Sequence, residues 1–97
     1  MVSIEQVTDD LGIDILDDMA KNNINRMIRT ADSYLKGSIG KDYPAEDPRA
    51  VELALIIIAD LYDNREITDK VSGNVRRFVN DASLQLKLEL ESGKNEV

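Results

Sequence analysis

The chain has no cysteine, no histidine and no tryptophan. Without cysteine there is neither a disulfide framework nor a thiolate to hold a metal. Without histidine, the usual general base near neutral pH and the commonest metal ligand are both missing. The aromatic residues are only Tyr34, Tyr43, Tyr62 and Phe78, too few for a platform on which nucleobases stack. The longest apolar run, residues 53–59, is seven residues long, far short of the roughly 20 needed to cross a bilayer. No charged-then-apolar leader opens the sequence, so the reading is of a protein that stays in the cytoplasm where it is made. Neither a Gly-x-Ser-x-Gly elbow nor a phosphate-cradling G-x-x-x-x-G-K loop is present. Catalysis is therefore not expected, and no cofactor is implied.

What remains is a short, acidic chain. Its 97 residues make one domain spanning 1–97. A domain of this size buries only roughly 60–68% of its unfolded surface, so association is expected to add stability. The net charge is −7, and it is unevenly placed. Residues 1–18 hold Glu5, Asp9, Asp10, Asp14, Asp17 and Asp18 with no basic side chain, a local −6. All 12 basic side chains and the other 13 of the 19 acidic ones follow, a balance of −1. Affinity for phosphate needs clustered Lys and Arg, so nucleic-acid binding is not expected.

Four helical patterns succeed one another. Ser3 and Gln6 form a capping box, Ile4, Val7 and Leu11 share a face, and Gly12 is placed to end the helix. After an aspartate-rich linker over 13–18, a second helix is expected over about 20–38. Its apolar positions Ile24, Met27, Ile28, Ala31, Tyr34 and Leu35 keep the spacing of one buried stripe. Gly37, Gly40 and Tyr43-Pro44 mark its end. The third helix is expected over 48–64, with Asp47 as N-cap and Pro48 at the first position. Its middle, residues 54–59, is apolar on every side, which predicts that other helices surround it. Ile24, Ile28, Ala31, Leu35, Val51, Leu55, Ile58 and Tyr62 are the expected core.

The last segment admits two periods. Leu84, Leu86, Leu88 and Leu90 alternate with polar residues as in a half-buried strand. As a helix from about Asn74, the same stretch puts Val75, Phe78, Val79, Ala82, Leu86 and Leu90 on one face. Leu84 and Leu88 then lie a turn apart on the opposite face. The helix is favoured, because Leu, Lys, Glu and Gln are good helix formers and a lone strand would lack a partner. Residues 92–97 read as a flexible tail. The expected fold is all-α, a compact bundle of about four helices with a short first helix and two long central ones.

The carboxylates at Asp9, Asp10, Asp14, Asp17 and Asp18 invite a cation, but their spacing is not that of a calcium loop. A solvated turn in which Asp17 or Asp18 caps the next helix accounts for them, and no metal site is assigned. At the end of the third helix, Arg65 counters the helix dipole and caps carbonyls, with Asn64 in the left-handed turn position. Alternatively, Arg65 and Glu66 reach a neighbouring subunit. Leu84 and Leu88, facing away from the intramolecular stripe, leave an apolar patch unless something covers it.

Two of these patterns have a familial likeness. Ile24, Met27, Ile28, Ala31, Tyr34, Leu35 and Gly40 resemble the L-x-x-L-I-x-x-A-x-x-Y-L-x-x-x-x-G second helix of phage head–tail connector proteins. Asp47-Pro48, Ala54 and the run Ala59-Asp60-Leu61-Tyr62-Asp63-Asn64-Arg65-Glu66 are similar to that family's third helix, which tends to end in Tyr-x-Asn-Arg-Glu. The short leading helix and aspartate-rich linker match in order, and the likeness covers about residues 3–82. Beyond Ala82 the chain is richer in leucine than the family's pattern.

This resemblance, to proteins often labelled DNA-packaging proteins of long-tailed phages and prophages, implies a structural virion subunit. Such a subunit forms a homo-oligomeric ring beneath the portal, extends the DNA channel, and presents a docking surface for the next head-completion or tail protein. DNA is then passing cargo, no membrane is involved, and the location is the head–tail junction, reached from the host cytoplasm during assembly. Arg65, Glu66, Leu84 and Leu88 are the candidate subunit contacts. Two other classes compete: a small acidic regulatory or adaptor module acting as a dimer on a protein partner, and a metal-assisted enzyme using the carboxylates of residues 9–18.

Overall fold

A side-chain oxygen stands at the start of each helix, accepting from backbone N–H groups that have no carbonyl partner within the helix. The computed structural model describes residues 2–13, 17–64 and 71–95. Ser3 accepts from the N–H of Gln6 while the Gln6 side chain accepts from the N–H of Ser3, closing the capping box of α1 (Ile4–Leu11). Asp17 accepts from the N–H of Ala20 at 2.7 Å and opens α2 (Asp18–Ser38). Asp47 accepts from the N–H of Arg49 and opens α3 (Pro48–Asp63), with Pro48 in its first turn. Ser72 accepts from the N–H of Val75 just ahead of α4 (Gly73–Asn95). Gly12 ends α1 at φ 71°, a left-handed conformation that suits a residue without a Cβ.

The protein is an all-α four-helix bundle, and no strand occurs among the described residues. Residues 84–91, whose alternation also suited a strand, are helical because their leucines continue a turn-spaced pattern begun at Val75. The backbone of α4 runs on to Asn95, and of the expected tail over 92–97, residues 96–97 lie outside the described residues. The α2–α3 pairing is the most extensive, and α1 and α4 each lie against both.

The core is one cluster. Ile24, Met27, Ile28, Ala31 and Leu35 of α2 are buried against Ala50, Leu53, Ala54, Ile57, Ile58 and Leu61 of α3. Val7 of α1, Val79 and Leu86 of α4, and Val2, Ile39 and Val71 just outside the helices complete it. Three expected core positions need correction. Val51, Leu55 and Tyr62 are only half-buried, packed against the rim of the cluster. The apolar run over 54–59 does not say which side faces inward, and the buried stripe is the one through Leu53, Ile57 and Leu61. Nor is α3 surrounded: Leu55, Ile56 and Ala59 remain half-buried on its other side.

The turn conformation at the end of α3 also differs from expectation. Asn64 has φ −102°, ψ 8° and is not left-handed. Its side-chain amide instead donates to the carbonyl of Asp60 at 2.9 Å, capping the helix from within. That bond removes the need for a left-handed residue at this position.

Candidate interaction surface

The orientation of α4 decides which leucines face solvent, and three polar links set it. Asp60, in the last turn of α3, accepts from the Asn64 amide through Oδ1 at 3.1 Å. Its Oδ2 accepts from the backbone N–H of Ser72 at 2.7 Å. One carboxylate thus joins the end of α3 to the start of α4. Further along, the Tyr34 hydroxyl of α2 donates to Oδ1 of Asn80 at 2.9 Å, and the Ser38 hydroxyl approaches the same oxygen at 3.5 Å. Near the far end Arg49 of α3 pairs with Glu89. Both of these side chains are more than half exposed, so this pair fixes position more than it stabilises.

With α4 held this way, Val79, Ser83 and Leu86 point inward and are buried, and Val75, Ala82 and Leu90 flank them. Leu84 is 55% exposed and Leu88 54%. The two sit one turn apart on the outer side, where their turn spacing placed them. Phe78 corrects the helical face read from sequence: it is 56% exposed and not part of the inward stripe. The buried arc is centred on Val79 and Leu86, and Phe78 falls at its edge. Ser83 takes an inward place that pattern reading missed, because a serine carries no apolar signal. Its hydroxyl is fully buried and has no hydrogen-bond partner.

Beside this outer face runs a groove of about 370 Å³ between the start of α3 and the second half of α4. Leu53, Ala82 and Leu86 form its apolar floor, and Arg49 and Glu89 stand at its rim. Asp47 lies next to it. Its carboxyl is held below the usual value by hydrogen bonds from the Arg49 guanidinium, then by the Arg49 backbone N–H. Glu52 of α3 and Gln85 of α4 line it as well.

Arg65 and Glu66, the other candidate subunit contacts, lie outside the described residues, as does Asp14 of the acidic segment. Asp17 is engaged as the cap of α2. Among the described residues no group of three or more carboxylates is arranged to hold a metal ion, and no helix is long and apolar enough to cross a membrane. No protein-family model matches this chain, and neither does any curated protein or any solved structure.

Proposed function

We propose that this protein is a structural subunit of a phage head–tail connector. It assembles with copies of itself into a ring under the portal, where it extends the DNA channel and receives the next head-completion or tail protein. The observation that carries the reading is the outward placement of Leu84 and Leu88 on a helix whose other face is fully used by the core. Large apolar side chains left over after a core is filled mark an association surface. The half-buried row Val51, Leu55 and Tyr62 on α3 supplies a second surface that a neighbour would finish burying. The sequence resemblance to the connector family supplies the particular assembly. An acidic chain suits a channel through which DNA must pass without sticking.

Leu84→Asp combined with Leu88→Asp tests the reading. Both sites are exposed, so the isolated fold tolerates the charges and the helical circular dichroism signal stays as in the parent. The concentration needed for assembly rises sharply. If helix content collapses together with assembly, the leucines belong to the core and this surface is wrong.

A further inference from the structure

Charge along the first third of the chain is written in two blocks. Residues 1–18 carry six carboxylates and no cation, and residues 19–31 carry Lys21, Arg26 and Arg29 and no carboxylate. The fold displays both blocks to solvent. Glu5, Asp9 and Asp10 are exposed on α1, and Asp17 and Asp18 are exposed at the start of α2. Arg26 and Arg29 are exposed on the side of α2 turned away from Ile24, Ile28 and Ala31, and Lys21 is exposed one turn before Ile24, at the edge of the buried stripe.

Among the described residues, no ion pair neutralises either block. Ion pairs among the described residues join Lys36 to Asp32 and Arg49 to Asp47 and Glu89. None of them involves Lys21, Arg26 or Arg29, and none involves Glu5, Asp9, Asp10, Asp17 or Asp18. Met19 stands where the two blocks meet and is 74% exposed, the most exposed large apolar side chain described. A patch of one sign, a patch of the other and an uncovered methionine between them are the parts of a contact whose second half is missing.

We infer that the outer face of α2, through Arg26 and Arg29 with Lys21 at its edge, receives the acidic α1 end of a second copy of this chain. Charge complementarity selects that occupant. The chain as a whole is strongly acidic, so two copies repel unless they meet where the sign reverses, and residues 19–31 are the longest stretch where it does. Because donor and acceptor patches differ, each subunit uses one of each. That is the heterologous contact from which rings are closed. The inference rests on the self-assembly proposed above and adds the register: apolar residues on α4 supply affinity, and the charged blocks decide which faces meet.

Two variants and their mixture test it: Arg26→Glu with Arg29→Glu, and Asp9→Lys with Asp10→Lys. These sites are exposed, so both variants keep the parent's helix content and melting temperature. Each alone requires at least about tenfold more protein than the parent to assemble, since attraction is turned into repulsion at the contact. Mixed in equal amounts they assemble near the parent concentration, because each now offers the patch the other needs. In about 1 M salt, where charges are screened beyond roughly 3 Å, the difference between parent and variants shrinks.

Failure of the mixture to assemble overturns the inference, as does parent-like assembly of either variant alone. If Leu84→Asp with Leu88→Asp abolishes assembly while the charge variants do not, the proposed function stands and this contact falls. A parent that never self-associates removes both. A labelled DNA duplex that binds the parent but not the arginine variant, with masses unchanged, assigns the face to nucleic acid and overturns the inference.

Discussion

The hydroxyl of Tyr43, in the turn between α2 and α3, donates to Oδ1 of Asp32 at 2.5 Å and ties that turn back onto α2. Lys36, one turn further along α2, pairs with the other carboxylate oxygen at 3.1 Å. The Asp32 carboxyl is held below its ordinary 3.8, first by the Tyr43 hydroxyl and then by Lys36, while burial opposes them. Burial and, after it, the bond to Asp32 raise the Tyr43 hydroxyl above its ordinary 10.0. A depressed carboxyl contributes stability above its unfolded value, and that contribution is lost as pH falls through the folded value. A raised phenol contributes below its unfolded value and loses the contribution as pH rises. The pair is therefore fully effective between about pH 4 and pH 10. Tyr43→Phe should cost about 1 kcal/mol at pH 7. Urea unfolding should show that difference shrinking at pH 3, and an undiminished difference there would contradict the ionised pair.

Ser83 makes the opposite kind of prediction. Its hydroxyl is buried without a partner, a state that costs about 1–3 kcal/mol relative to a satisfied one. Ser83→Ala removes the oxygen and little volume. The variant should unfold at higher urea than the parent, by an amount equivalent to about 1 kcal/mol. A loss of stability would mean that the hydroxyl has a partner in solution, such as a bound water.

Two positions on α3 separate the buried stripe from its half-buried neighbour. Ile57 is 0% exposed and Leu55 lies at the rim. Ile57→Ala should cost about 3–4 kcal/mol and leave a cavity. Leu55→Ala should cost about 1–2 kcal/mol in the monomer, for the smaller area it buries. Equal losses in a monomeric sample would contradict this stripe.

That pair also shows where sequence reading reaches its limit. The caps of α1 and α3 were legible because Ser3 with Gln6 and Asp47 with Pro48 are local chemistry, and local chemistry needs no knowledge of neighbours. On α2 the stripe through Ile24, Ile28, Ala31 and Leu35 was equally legible, because polar residues on the other side fix its phase. On α3 they do not. Residues 54–59 are apolar all round, so the phase is set by where α1, α2 and α4 sit, and Val51, Leu55 and Tyr62 were placed one step off. Phe78 lies outside the buried arc and Ser83 inside it for a related reason: the packing of α4 on α2 and α3, anchored by Asp60 and Asn80, sets which arc faces inward. The outward pair Leu84 and Leu88 was legible from spacing alone.

The central claim is that copies of this chain build a larger body, and mass in solution tests it most directly. Light scattering behind a sizing column, repeated across protein concentration, should give a closed species many times the 10.9 kDa of one chain. A clean dimer would point to the acidic adaptor. A mass that stays at 10.9 kDa at every concentration would contradict self-assembly.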